Sequence, residues 1–301
     1  YTSLYFVGAG GIGMSALVRY FLAKGYKVAG YDRTQSPLTT ELKTEGLEIV
    51  YEESVESIPD YCRNPETTLV VYTPAIPASH AGLVYFREHG FRVVKRAELL
   101  GLITQSSKGL CFAGTHGKTT TSSMAAHIFH ESPIGCNAFL GGILRNYNSN
   151  LILSEQSPFT VIEADEYDRS FHWLHPYMAV VTATDPDHLD IYGTEEAYLE
   201  SFARFTSLIQ PGGCLIMKKG IKLVPSVKEN VKIYTYSARD GGDFHAGNIR
   251  IGDGTIVFDF VMPEGSVADI ELGVPVEINI ENAVAAMAIA WLNGVSGDDM
   301  R

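Results

Sequence analysis

Apolar residues fall into short runs separated by stretches of helical spacing through the first hundred positions. Residues 4–7, 28–31 and 69–72 are dense in valine, leucine and tyrosine and predict strands. Between them, residues 14–23 and 38–44 carry helical spacing, bounded by Gly25 and Gly46. Strand–helix–strand alternation implies a parallel sheet with helices on both faces. The polar run Thr-Gln-Ser-Ser-Lys-Gly at 104–109 breaks the pattern and predicts a linker, dividing the chain into domains at 1–106 and 107–301.

The second part opens with an apolar strand at 110–113, a glycine-containing loop and a helix running to about residue 130. Strands follow at 160–164 and 178–182, then a helix near 195–209 and a strand at 214–217. From 231 to 274 the pattern alternates and turns often, with Asp-Gly pairs at 240–241 and 253–254. This predicts a small, largely antiparallel sheet at the domain edge. An alanine-rich helix over 282–292 ends at Asn293 and Gly294.

At 301 residues, 46% hydrophobic and 19% charged, the chain has room for two cored domains and shows no broad disorder. Its net charge of −12 argues against non-specific binding to nucleic acid or acidic membrane. Phosphorylated small molecules remain open, because local backbone dipoles and one or two cations hold them. Cys62, Cys111, Cys136 and Cys214 show no CxxC spacing, which suits buried thiols in a reducing compartment. No apolar run reaches the ~18–20 residues of a membrane span. The first residues already look like a core strand and not a signal peptide, so a cytoplasmic protein is expected.

The strongest local signal is Gly114-Thr115-His116-Gly117-Lys118-Thr119-Thr120-Thr121, set between a buried strand and a helix. Backbone N–H groups of such a loop, with the positive end of the helix, hold a polyphosphate. Lys118 would reach the β- and γ-phosphates and the Thr119 hydroxyl would sit on Mg²⁺. Phe112 stands where the general P-loop has its first glycine, so the loop is a shortened variant. The bland alternative is a glycine-rich turn with an exposed lysine. Downstream, an apolar strand runs into Glu163-Ala-Asp-Glu-Tyr-Asp168, and a second into Thr184-Asp-Pro-Asp-His-Leu-Asp190. Carboxylates at the carboxyl ends of parallel strands face the ligand crevice of α/β folds, where Glu163 and His188 could share a divalent cation with a phosphate. Near the start, Gly8-Ala9-Gly10-Gly11-Ile12-Gly13 follows a strand, and Asp32 ends the next one. That fingerprint reads a pyrophosphate at a helix N-terminus and a hydroxyl near an acid, which NAD and UDP-sugars both satisfy.

With these motifs the chain resembles the Mur ligase family over essentially its whole length. The family's ATP loop matches residues 114–121, its acidic motif residues 163–166, and its Asp-His-x-Asp motif residues 187–190. The resemblance implies a Rossmann-like UDP-sugar-binding domain followed by a P-loop-type α/β domain that binds ATP. It implies Lys118 on the ATP phosphates, Thr119 on a first Mg²⁺, and Glu163 with His188 on a second. An imidazole ligand suits later metals, so Mn²⁺ is expected to serve as well. It also implies UDP-sugar contacts from Gly8, Gly10, Gly11, Ile12, Gly13 and Asp32, and from Thr73, Ala75 and Ile76. Asn279 and Asn282 match a pair that contacts adenine, although Ile278 replaces the family's histidine and Ala183 an asparagine. Residues 10–15 and 168–171, and the absence of lysine from 189–217, look like members that add L-alanine.

The implied activity is ATP-dependent joining of L-alanine to the carboxylate of UDP-N-acetylmuramate through an acyl phosphate, in peptidoglycan synthesis. A third family domain would follow Arg301, so residues 1–301 alone are expected to bind ligands and turn over poorly. The alternatives are a sister ligase attaching a muropeptide to UDP-N-acetylmuramate, an NAD-dependent dehydrogenase, and a non-catalytic nucleotide-binding module.

Overall fold

The computed structural model describes residues 1–239 and 241–301 and resolves two compact units, Tyr1–Leu100 and Gly101–Arg301. The predicted Asp-Gly turn at 240–241 includes Asp240, which lies outside the described residues.

The first unit contains β1 (Ser3–Val7), α1 (Ile12–Ala23), β2 (Lys27–Tyr31), α2 (Pro37–Glu45), β3 (Glu48–Val50), β4 (Thr68–Tyr72), α3 (Ala81–Glu88) and β5 (Arg92–Lys95). Its strands pair in parallel in the order β3-β2-β1-β4-β5. Every residue of β1 is buried, as a central strand covered on both faces requires. Short-range chemistry sets the ends of α2. Ser36 caps its start in a reciprocal pair with Thr39, Pro37 opens the first turn, and Gly46 at φ +121 closes it.

The unit division falls within α4 (Arg96–Ser106). Residues 104–109 do not form the expected linker: Thr104, Gln105 and Ser106 complete α4, and Lys108 begins the next strand. Polar side chains mislead here because Thr104 Oγ1 donates to the Gly101 carbonyl (2.7 Å) and Ser107 Oγ to that of Ile103 (2.8 Å). The hydroxyls serve the last turn of a helix.

The second unit continues with β6 (Lys108–Ala113), α5 (Lys118–Glu131), β7 (Asn137–Leu144), β8 (Ser149–Ile152), β9 (Phe159–Glu163), β10 (Pro176–Val181), α6 (Leu189–Tyr192), α7 (Glu195–Ser207) and β11 (Cys214–Lys218). It ends with β12 (Lys232–Ser237), β13 (Phe244–Gly252), β14 (Thr255–Met262), β15 (Gly265–Glu271), α8 (Ile278–Leu292) and α9 (Gly297–Met300). One mixed sheet has the order β15-β14-β13-β12-β11-β10-β6-β9-β7-β8. The antiparallel strands β13, β14 and β15 are therefore not a separate small sheet. They extend the main sheet, because β13 pairs in parallel with β12 through Tyr236–Phe244 and Ser237–His245. The Asp-Gly pair at 253–254 does make the two-residue hairpin turn, with φ of +51 and +74.

Small residues let the helices approach closely. Ala125 and Ala126 of α5 and the alanines of α8 are buried in one core, and α8 packs on α5 and on the sheet. All four cysteines are free and buried, as the sequence predicts. No helix among the described residues is long and apolar enough to cross a membrane.

Candidate functional site

Three loops meet at the carboxyl edge of the second sheet. β6 lies between β9 and β10, so the chain leaves it first to one side and then to the other. That is the switch point at which open α/β sheets form their ligand crevice.

The loop after β6 is held from below. Gly114 has φ +141, and a Cβ there would come within 2.9 Å of the Ala183 nitrogen, so the loop lies directly on the strand end after β10. The Thr182 hydroxyl donates to the His116 carbonyl, and the Thr115 amide to that of Ala183 (3.0 Å). Thr115 Oγ1 donates to the Asp185 carbonyl (2.7 Å) and lies 2.9 Å from the Tyr198 hydroxyl. Burial pushes the Tyr198 phenol up to about 12, so it keeps its proton and remains a hydrogen-bond partner. The left-handed Gly117 precedes α5, whose start has neither a side-chain cap nor an acidic residue in its first turn. A helix end left this way attracts an anion.

Consecutive residues of that first turn face three carboxylates. Lys118 Nζ lies 2.6 Å from Glu166 Oε2 and 3.9 Å from Asp165. Thr119 Oγ1 donates to Glu163 Oε1 at 2.7 Å. The other Glu163 oxygen is buried without a hydrogen-bond partner, and a Cβ on Gly141 would collide with it. A buried orphan oxygen beside a hydroxyl is a hard donor pair that fits Mg²⁺. His188, at φ +54, lies 3.7 Å from Glu166 Oε1 and 3.8 Å from Asp187. Among the described residues no three His, Cys, Asp or Glu side chains group to hold a metal, so a cation here would complete its shell with phosphate and water.

The acidic loop is positioned by aromatic packing. Phe171 stacks on Phe205 (4.8 Å between centroids) and meets Phe202 edge-on (5.3 Å), which ties the loop after β9 to α7. Asp168 and Arg169 adopt left-handed backbone at φ +51 and +56. Such positions in non-glycine residues cluster at functional sites.

At the start of α8, Asn282 is buried beside the loop: its Oδ1 accepts from Thr121 (3.3 Å), and its Nδ2 donates to Asn279 (3.3 Å). Asn279 also donates to the Val274 carbonyl (3.3 Å), and Ile278 is exposed. His116 and Thr120 are exposed on the loop and first turn.

In the first unit, the fingerprint and the 73–76 segment come together. Gly8 has φ +100, and a Cβ there would collide with Thr73 and reach Ile76 at 3.5 Å. The Gly10 amide donates to Asp32 Oδ2 (2.7 Å) and the Thr34 amide to Asp32 Oδ1 (3.0 Å), so Asp32 orders the glycine loop. Gly11 and Ile12 open α1 and are exposed, and the Ala75 amide donates to Thr73 Oγ1 (3.4 Å). Arg96 lies against Gly13, whose Cβ would stand 2.6 Å from its Nε.

Glu166, Gly141, Tyr198 and Arg96 are absent from the sequence-based set. Glu166 closes the Glu-Ala-Asp-Glu motif and could have been singled out there. The other three act from remote strands and helices with no local signal.

Family models match both parts of the chain: "Mur ligase family, catalytic domain" over residues 3–108 and "Mur ligase middle domain" over 112–290. A UDP-N-acetylmuramate–L-alanine ligase of Parabacteroides distasonis is 67% identical over all of this chain, and one of Porphyromonas gingivalis is 54% identical over 99% of it. The chain spans 65% and 66% of their lengths. Among solved structures, a UDP-N-acetylmuramate:L-alanyl-γ-D-glutamyl-meso-diaminopimelate ligase from Neisseria superposes with TM-score 0.81 at 22% identity, covering 99% of this chain and 96% of that one. A UDP-N-acetylmuramate-alanine ligase from Thermotoga maritima gives 0.78 at 23%, covering 100% and 67%. The fold is theirs, and on the family models the chain belongs to the Mur ligase family.

Proposed function

We propose that this chain is the UDP-sugar- and ATP-binding part of a cytoplasmic ligase that joins L-alanine to the carboxylate of UDP-N-acetylmuramate. The observation that carries the reading is the pairing of Lys118 with Glu166 and of Thr119 with Glu163 at the switch point of the sheet. The names of relatives 54% and 67% identical supply the substrates.

The loop amides and Lys118 would bind and orient the ATP phosphates, with Asn279 and Asn282 on the adenosine side. Glu163 and Thr119, and separately His188, would hold Mg²⁺ or Mn²⁺. A bound divalent ion supplies charge neutralisation at the phosphate oxygens. The muramoyl carboxylate attacks the γ-phosphorus and ADP leaves. The alanine amine then displaces phosphate from the acyl phosphate. Such chemistry depends chiefly on alignment and on fixed positive charge. Gly8, Gly10, Gly11, Ile12 and Gly13 would take the diphosphate of the UDP-sugar, with Thr73, Ala75 and Ile76 against the nucleoside.

The test is phosphate release by the full-length protein with ATP, UDP-N-acetylmuramate and L-alanine, each omitted in turn, with the amide product weighed by mass spectrometry. Release that ignores alanine but responds to a muropeptide would move the assignment to the sister ligase. Release that ignores both would overturn it.

A further inference from the structure

We propose that Glu166 is a positioning residue, a buried carboxylate that sets where the Lys118 ammonium stands and ties it to His188. The proposal rests on the reading above that Lys118 binds the ATP phosphates. Within the acidic cluster Glu166 is the exception in burial: its side chain is 1% exposed, against 56% for Asp165 and 53% for Asp187. A buried carboxylate is retained only where it is paired. Its two oxygens face two different groups, Oε2 at 2.6 Å from Lys118 Nζ and Oε1 at 3.7 Å from His188 Nε2.

The backbone of Glu166 is fixed independently of those contacts. Its carbonyl accepts from the Tyr192 hydroxyl and from the Arg169 amide (3.0 Å). Tyr192 in turn accepts from Ser201 (3.3 Å) and meets Tyr198 edge-on at 5.0 Å. Tyr198 is the residue that holds Thr115 of the phosphate loop. Loop, carboxylate and lysine therefore share one rigid support. A lysine is a point charge on a flexible stem, so a fixed counter-charge decides its position.

The sign of the effect separates this role from phosphate binding. Glu166 carries negative charge close to where the triphosphate would lie, so neutralising it does not weaken ATP in the ground state. It does release the ammonium from its place, and misplacement of about 1 Å can lower rates by about a hundredfold.

The experiment compares Glu166→Gln, Glu166→Asp, Lys118→Gln and the Lys118→Gln/Glu166→Gln pair in the full-length protein, reading kcat and the KM for ATP. Glu166→Gln should lower kcat by at least about tenfold with KM for ATP unchanged or lower, the pattern of an interaction used only in the transition state. Lys118→Gln should raise KM, and the pair should fall no further than Lys118→Gln alone. Glu166→Asp keeps the charge and draws it back by one methylene. Its kcat should lie between those of wild type and Glu166→Gln, and it carries the test if the amide does not fold. An unchanged kcat, a KM raised as in Lys118→Gln, or additive losses would overturn the proposal while leaving the loop assignment intact. Wild-type protein that fails to bind ATP would overturn both.

Discussion

Thr119 Oγ1 donates to Glu163 Oε1 across 2.7 Å, which ties the first turn of α5 to the end of β9. The second oxygen of that carboxylate faces Gly141 on β7, where a methyl group would collide with it. Gly141 lies on a strand whose sequence gives no hint of chemistry, yet its lack of a side chain makes the room that this carboxylate oxygen occupies. Gly141→Ala should lower Mn²⁺ affinity by about 10–100-fold, the usual range for residues that orient metal ligands. Gly141 itself is exposed on β7, so the added methyl displaces the Glu163 side chain and disturbs no buried apolar packing. Electron paramagnetic resonance titration with Mn²⁺ checks this, and an unaltered isotherm would remove Glu163 from the metal site.

Lys118 is the first residue of α5 and the lysine of the phosphate loop. Lys118→Ala should abolish the thermal stabilisation given by Mg-ATP, on top of a lower melting temperature for the free protein, because the buried Glu166 loses its partner. At about a hundred times Kd a ligand stabilises by about 2.7 kcal/mol, a shift that differential scanning resolves easily. A melting shift as large as that of wild type would mean that the phosphates bind elsewhere.

The parts of the fold legible in the sequence are those with strong local signals. The central strands β1, β4, β6 and β10 each carry a run of four or more consecutive apolar residues, and α8 announces itself by its alanines and its Asn-Gly stop. Weak or short elements escape that reading. β3 has three residues, β5 has four and begins and ends on Arg92 and Lys95, and the β7–β8 hairpin contains Gly141 and Gly142. The polar end of α4 reads as a linker until its hydroxyls are seen bonding back to the helix. Of the site, the loop and the acidic motifs are contiguous and visible. The support given by Tyr198, Tyr192 and Gly141 depends on which strands become neighbours, and no local spacing encodes that.

The first unit should bind UDP-N-acetylmuramate and not NAD. Asp32 already accepts N–H groups of the glycine loop and of its own turn on both oxygens, so its structural duty is to shape the loop for a diphosphate. Gly8→Ala should lower UDP-sugar affinity by at least about tenfold, because φ +100 disfavours a side chain and a Cβ would strike Thr73. Calorimetry with both ligands decides the matter. Heat from NAD alone would overturn the assignment.

The stability of the protein should decline as pH falls below about 6.5, and His80 should account for part of the slope. The His80 ring is buried at the start of α3, lies tilted against Tyr31 (4.5 Å between centroids), and accepts from the Leu83 amide through Nδ1 (3.4 Å). Burial lowers its pKa below the ordinary histidine value, outweighing the opposite pull of Glu53. The folded state therefore favours the neutral ring, and a protonated Nδ1 could no longer accept from Leu83. The resulting stability is fully present above the unfolded pKa and is lost as pH falls toward the folded one. His172 is also lowered by burial, so the two residues act in the same direction from different units. Each can add at most about 1.4 kcal/mol per pH unit to the slope. Asparagine caps helices well, so His80→Asn should keep α3 capped while removing one titrating group. Urea melts between pH 7.5 and 5 should show a shallower slope for His80→Asn than for wild type, and shallower again with His172→Gln added. Parallel slopes for all three proteins would show that neither ring is held neutral by the fold.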